Sequence, residues 1–300
     1  MKIIDVVKRF TKSPWKIIRS LGAHNLFNWL PDKPYLKLVY WGETSKKLNI
    51  KKPVLYNEKL QWIKLNDRKP EYTRYVDKYA VRSYIAETIG KQYLIPLIDL
   101  YNCVNEIKWD LLPNKFVLKC THGSGANVIC TDKNNLDIEA TKIKLGKWMK
   151  KSWYWFGREW PYKNVKPRIV CEEFISDNGA PPMDYKVLCF NGKAKLIEVH
   201  IDRFIDHKQD FYTIEWEKTS ISQGTATTDI VIEKPIVLEE MIRLSEILAK
   251  NTFHVRIDWY VVQNKLLFGE ITFFDASGFC PFDSEKDELL IGEWINLNQR

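Results

Sequence analysis

The chain has 300 residues, 45% of them hydrophobic and 13% aromatic, with 46 basic and 38 acidic side chains and a net charge of +8. That length can bury a large core and exceeds the usual single domain, so two lobes sharing one cleft are expected. The longest apolar runs, VLCF and YLIPLI, fall far short of the about 20 residues of a membrane span, and six cysteines without a CxxC pair argue against a zinc or disulfide frame, so a cytoplasmic protein with buried thiols is expected.

The chain opens with Lys2, Lys8, Arg9, Lys12, Lys16 and Arg19 against Asp5, interleaved with Ile3, Ile4, Val7, Phe10, Trp15 and Ile18. Such a basic amphipathic stretch serves either as a peripheral contact with the inner face of an anionic membrane or as a helix packed on its own domain. Residues 31–53 are rich in proline and read as an irregular connection, with a boundary near Thr73. Residues 76–90 place Val81, Ile85 and Ile89 on one helical face before a terminating glycine.

From Asn114 to Thr131 two β-rich runs flank a Gly/Ser turn, which predicts a hairpin, and a helix follows over 137–151. Strands are expected over 168–175 and on either side of Asn191 and Gly192, the dipeptide suited to a tight primed turn. Residues 203–228 read as a long irregular excursion. A helix over 236–251 precedes two strands, FHVRIDWYVV and KLLFGEIT, joined at Gln263 and Asn264. Helices interleaved with mostly antiparallel hairpins define an α+β fold.

Two places could carry chemistry. Lys119 precedes Thr121, His122, Gly123, Ser124, Gly125 and Ala126, where exposed backbone N–H groups could close over phosphate beside an ammonium; the same GSG also makes ordinary hairpin turns. His122 is read either as a phosphate contact or as a solvated loop histidine. Asp258 and Glu270 lie on the two strands of the last hairpin, close enough on one face to hold Mg²⁺ through hard oxygens, with Arg256 two residues away on the same face. A surface Arg/Asp/Glu ladder is the alternative for these three.

The order of these parts resembles the ATP-grasp superfamily, most closely its TupA-like branch linked to bacterial surface-polysaccharide biosynthesis of the teichuronopeptide type, over about Leu60 to Gly278. The segment KLQWIKLNDRKPEYTRYVDKYAVRSYI looks like the opening of that family. The resemblance implies an ATP-grasp fold of two α+β lobes whose antiparallel sheets enclose a nucleotide cleft, preceded by an atypical N-terminal helical region. The expected divisions are residues 1–72, a first lobe over 73–175 and a second over 176–300.

By the same resemblance Lys78 and Lys119 contact phosphate, the loop from Thr121 to Ala126 covers the γ-phosphate, and Glu172, Glu173 and Phe174 lie on the strand beside adenine and ribose. Asp184 and Lys186 face the nucleotide, and Asp258, Glu270 and Thr272 hold the metal, Thr272 standing where the family has asparagine. Arg256, Lys119 and Arg203 are expected to act in the reaction itself, Arg203 by binding a substrate carboxylate in HIDRFIDHK. The implied activity is an ATP- and Mg²⁺-dependent ligation of a carboxylate to an amine through an acyl phosphate. The substrates would be an acidic or lipid-linked glycan and an amino acid or other amine, with no nucleic acid involved. A glycan phosphotransferase or glycosyltransferase, or a non-catalytic ATP-grasp subunit of polysaccharide assembly, would use the same parts without an amine.

Overall fold

The structure, a computed structural model, describes residues 17–23, 25–177, 179–201 and 207–298. The amphipathic start therefore lies outside the described residues except at its end, where Ile18 is buried in helix α1 (Ile17–Ala23) and Arg19 lies 4.1 Å over the Phe156 ring. Asp202 and Arg203 also lie outside the described residues.

Residues 31–53 are not an irregular connection, because helix α2 (Asp32–Thr44) occupies most of them. Pro34 is compatible with it: in the first turn its missing N–H has no helical partner to lose. Helix α2 buries Tyr35, Leu36, Val39 and Tyr40, which form a small cluster with Ile18, Leu48 and Phe279.

Helix α3 (Tyr56–Asn66) and α4 (Glu71–Val76) follow. The helix expected over 76–90 is shorter, α5 (Val81–Thr88), because Asp77 interrupts it. The Asp77 carboxylate accepts from the backbone N–H groups of Tyr79 and Ala80 at 2.9 and 3.2 Å, so it opens a new helical turn rather than continuing an old one. Gly90 closes the segment with φ +119°.

The first sheet is antiparallel in the order β1-β4-β2-β3, with β1 Leu97–Tyr101, β2 Phe116–Cys120, β3 Asn127–Cys130 and β4 Ile169–Glu173. The hairpin of β2 and β3 is the one expected, and α6 (Ile138–Met149) follows it with Asp137 as its cap, accepting from Ala140 N–H at 2.9 Å. A single-turn helix α7 (Tyr154–Gly157) precedes β4.

The second sheet is also antiparallel, in the order β7-β6-β5-β8-β9. Its strands are β5 Met183–Phe190, β6 Lys193–Ile201, β7 Lys208–Tyr212, β8 His254–Val262 and β9 Lys265–Thr272. Both tight turns are primed, as expected at Asn191 and Gly192, where φ is +48° and +80°; at Gln263 and Asn264 φ is +50° and +59°. Strand β7 lies inside the stretch read as an irregular excursion. Its short KQDFY run gives little alternation, and its pairing with β6 is what makes it a strand.

Helix α8 (Leu238–Leu248) covers the apolar face of this sheet, and α9 (Glu285–Glu293) packs on α3. The largest core joins Val187, Ile197, Ile257, Trp259, Phe268 and Ile271 of the second sheet to Tyr56, Leu60, Tyr72, Val76 and Ile85. The helices over 56–88 thus share a core with the second sheet, while the first sheet has a separate one around Phe116, Leu118 and Ile169. All six cysteines are free, and Cys120, Cys130, Cys171 and Cys189 are buried in strands.

His254 is a fully satisfied core residue: one ring nitrogen lies 3.0 Å from the Cys189 carbonyl and the other 2.9 Å from the Tyr56 hydroxyl. Burial holds its pKa down at about 3. As the pH falls below the ordinary histidine value the unfolded chain binds a proton that the folded chain refuses, so stability declines with acidification. We predict that the folding constant loses roughly tenfold per pH unit through this group between about pH 6 and pH 4.5. Urea unfolding of a His254→Asn variant should show a shallower slope over that window.

Candidate functional site

The charged residues of the second sheet occupy the face opposite its apolar core, because side chains alternate along each strand. Lys186 pairs in register with Glu198 on β6 and with Asp258 on β8. At β9 the ladder shifts: Ile257 opposes Ile271 and Trp259 opposes Phe268, so Asp258 faces both Gly269 and Glu270 in a bulge. Glycine suits that position, since a Cβ on Gly269 would stand 3.0 Å from the Asp258 carbonyl oxygen.

Four adjacent strands therefore present Glu198, Lys186, Asp258 and Glu270 in one row. The Lys186 ammonium lies 2.8 Å from Asp258 and 2.9 Å from Asp184. Arg256 grips Asp258 with two N–H groups at 2.8 and 2.9 Å, contacts Asp275 in the loop after β9, and lies 3.7 Å from Glu270. Thr272 is opposite Arg256, its hydroxyl 3.5 Å away. Buried charges in this density are costly unless they compensate one another or a ligand. The surface-ladder alternative is set aside, since Lys186, Glu198, Arg256 and Asp258 are all buried.

The first sheet contributes cations. The Lys119 ammonium sits 2.7 Å from Glu172, whose other oxygen accepts from Arg82 at 3.0 Å. Lys78 follows Asp77, and Asp77 is held by Arg168 at 2.8 Å. The Lys78 N–H donates to the Thr121 carbonyl at 3.3 Å, while its ammonium reaches Glu270 at 2.7 Å. One residue thereby ties the glycine loop of the first sheet to a carboxylate of the second.

That loop is tighter than its small side chains suggest. Thr121, His122, Gly123 and Ala126 are buried, leaving Ser124 and Gly125 exposed. The Thr121 hydroxyl donates to the Lys166 carbonyl and accepts from Arg168 N–H, each at 3.1 Å. His122 is buried rather than a solvated loop histidine. Its ring nitrogen lies 3.3 Å from the Trp148 carbonyl, and burial holds its pKa below the usual histidine value. Gly123 packs on Trp153, where an added Cβ would meet the ring system at 3.3 Å.

Of the other residues singled out by sequence, Glu172 is buried under Lys119 and Arg82, Glu173 is exposed and Phe174 is half-buried. Sequence reasoning missed Asp77, Arg82, Asp275, Glu198 and His200. The alternation in KAKLIEVHI was the signal for the last two, since it puts a glutamate and a histidine on the face of Lys186. Glu198 contacts one ring nitrogen of His200, and the other lies 2.6 Å from His207.

The electrostatics follow from this packing. Burial pushes Glu270 up, but Lys78, Arg256 and Lys186 outweigh it and hold the carboxyl well below its usual range. Burial likewise raises Glu198, yet His200, Arg256 and Lys186 bring it down to about 2. Burial lowers Lys186, and Asp258, Asp184 and Glu198 more than reverse that. Asp275 behaves otherwise, because burial lifts it more than Arg256 pulls it down. Five carboxyl groups, Asp184, Glu198, Asp258, Glu270 and Asp275, face three cations, Lys78, Lys186 and Arg256, so the acidic groups outnumber the basic ones by two.

Among the described residues no three His, Cys, Asp or Glu side chains converge as a ready cation cage. Two hard oxygens on one face nevertheless fit Mg²⁺, which takes one or two carboxylates and completes its shell with phosphate and water. The surplus of carboxyl groups suits a divalent cation, and Lys78, Lys119 and the exposed loop tip suit nucleotide phosphates.

A family model for TupA-like ATP-grasp proteins matches residues 58–296, and the chain belongs to that family. No curated protein matches it. Among solved structures, D-alanine-D-alanine ligase from Helicobacter pylori is 14% identical with a TM-score of 0.43, covering 75% of this chain and 60% of its own. The ATP complex of the Bacillus anthracis enzyme is 16% identical with a TM-score of 0.41, covering 73% and 65%. An ADP complex of N5-carboxyaminoimidazole ribonucleotide synthetase is 12% identical with a TM-score of 0.43, covering 76% and 52%. The chain thus spans less than two thirds of the length of each of these three.

Removing the central cation should expose the cost of the cluster. Arg256→Met is predicted to destabilise the fold by about 3–5 kcal/mol, because Asp258 and Asp275 lose their buried partner. Adding Asp275→Asn should recover part of that loss in urea unfolding.

Proposed function

We propose that the protein is an ATP- and Mg²⁺-dependent ligase that activates a carboxylate as an acyl phosphate and passes it to an amine. The observation that carries the reading is the reach of Lys78 from the glycine loop's anchor to Glu270, beside Asp258 and Arg256. Lysines, a small-residue loop and hard carboxylates at one place are the set that phosphoryl transfer needs.

In this reading Lys78 and Lys119 hold phosphate oxygens, and Ser124 with Gly125 covers them from the loop tip. Asp258 and Glu270 hold the metal, with Thr272 beside them. Bound there, Mg²⁺ would supply charge neutralisation for phosphoryl transfer. Lys186 and Asp184 set the phosphate side of the row, and Arg256 faces the acyl phosphate and the oxyanion formed when the amine attacks. Glu172 fixes Lys119 by drawing its ammonium to one side of the first sheet. Glu172, Glu173 and Phe174 border the adenine and ribose, and Arg203 binds the substrate carboxylate.

The division into a region over 1–72 and lobes over 73–175 and 176–300 belongs to the same proposal. So does the substrate class, an acidic bacterial surface glycan whose uronic acid carboxylate receives an amino acid or other amine, supported by the family and by the net charge of +8.

Isothermal titration with a non-hydrolysable ATP analogue tests the first requirement. Binding should depend on Mg²⁺ and weaken at least about tenfold in Glu270→Ala, and similarly in Lys78→Met. Folded wild-type protein that binds no nucleotide would overturn the ligase reading.

A further inference from the structure

The outward face of α2 has a composition that the nucleotide site does not explain. Of the tryptophans among the described residues, Trp29 and Trp41 alone are exposed, at 77% and 40%, and Leu26 beside Trp29 is 56% exposed. Scattered exposed apolar residues are ordinary, but two indole rings and a leucine within sixteen residues are not scattered. Trp41 shares a helical face with Lys33 and Lys37, since residues four apart on a helix are neighbours.

The charges of this segment are sorted by direction. Its acidic residues turn toward the protein: Asp32 pairs with Arg68 at 2.6 Å and accepts from the Tyr154 hydroxyl at 2.5 Å, and Glu43 lies 3.9 Å from Arg19. Lys33 and Lys37 are exposed, and neither pairs with a carboxylate among the described residues. The inner side of α2 is fixed by Tyr35, Leu36, Val39 and Tyr40 in their cluster. The preceding turn is also fixed, because Arg158 donates to the carbonyls of Phe27 and Leu30 at 2.7 and 3.1 Å. This support leaves Trp29, part of Trp41 and two lysines without a carboxylate partner among the described residues exposed to solvent.

We propose that this face, Leu26 and Trp29 with Lys33, Lys37 and Trp41, docks on an anionic lipid bilayer. Tryptophan settles at the headgroup level, the Trp29 N–H being already satisfied by the Leu26 carbonyl at 3.1 Å, and lysine beside it meets the lipid phosphates. An anionic bilayer fits better than a protein partner, because unpaired lysines flanked by indoles match a negative surface with an apolar interior. The inference rests on observations independent of the nucleotide site; joined to the ligase reading, it would hold that site beside a membrane-borne substrate.

The test is co-sedimentation of the full chain with vesicles of phosphatidylcholine alone and of phosphatidylcholine mixed equally with phosphatidylglycerol. We expect binding to the mixed vesicles only, weakening as salt rises. Trp29→Ser and the double variant Lys33→Glu, Lys37→Glu should each retain their circular dichroism spectrum and lose roughly tenfold or more in partitioning. Lys265→Glu, at the exposed start of β9, should bind as the wild type does. No binding, equal binding to both vesicle types, or variants that bind like the wild type would overturn the proposal. Because nucleotide titration reads a different face, either result stands apart from the ligase reading.

Discussion

One face of the second sheet is charged and buried, and the rest of the structure is organised around that constraint. Ionised groups removed from water need opposite charges at contact distance, and here the row from Glu198 through Lys186 and Asp258 to Glu270 supplies them across four strands. Carboxyl groups outnumber cations along the row. A fold that concentrates carboxyl groups in a partly covered place is poised for a cation, and its nearest lysines are poised for the anion that would accompany it.

The two sheets meet through that imbalance. Lys78 satisfies Glu270 with its ammonium and the glycine loop with its backbone N–H, so a nucleotide arriving with a metal would compete for both ends of one residue. Asp77 makes this placement possible by breaking the helix ahead of Lys78 and by holding Arg168, which enters β4 beside the Thr121 hydroxyl. The helices over 56–88 share the second sheet's core, so Lys78 is delivered from that body toward the loop of the first. Glu198, His200 and His207 extend the polar row toward the sheet edge, and Glu198 joins Asp258 and Asp184 in keeping Lys186 in an acidic setting.

Much of this was legible in the sequence, for physical reasons that also mark where legibility ended. The strands carrying Asp258 and Glu270 were readable because Gln263 and Asn264 fix the turn, and the turn fixes which residues oppose. The bulge at Gly269 was not, because only the close approach of the Asp258 carbonyl reveals why glycine stands there. The hairpin around the glycine loop was evident from its β-rich flanks. The burial of His122 was invisible, since its ring packs against the Trp148 carbonyl of a later helix. Helix α2 was hidden by its prolines, and β7 by a run too short to show alternation without β6 beside it. Lys119, Asp258, Glu270 and Arg256 were singled out from the loop and the hairpin themselves, and Lys78, Glu172, Asp184 and Lys186 by resemblance to a family; their contacts and the roles of Asp77, Arg82 and Asp275 came from packing.

The account rests on Lys78 and Glu270 exchanging partners when a metal nucleotide binds. A crystal structure with Mg²⁺ and a non-hydrolysable ATP analogue tests this most directly. The account predicts oxygens of Asp258 and Glu270 about 2.0–2.1 Å from the metal, with the Lys78 ammonium moved from Glu270 onto a phosphate oxygen. A nucleotide bound elsewhere, or a Lys78 that remains on Glu270 with no metal beside it, would contradict it.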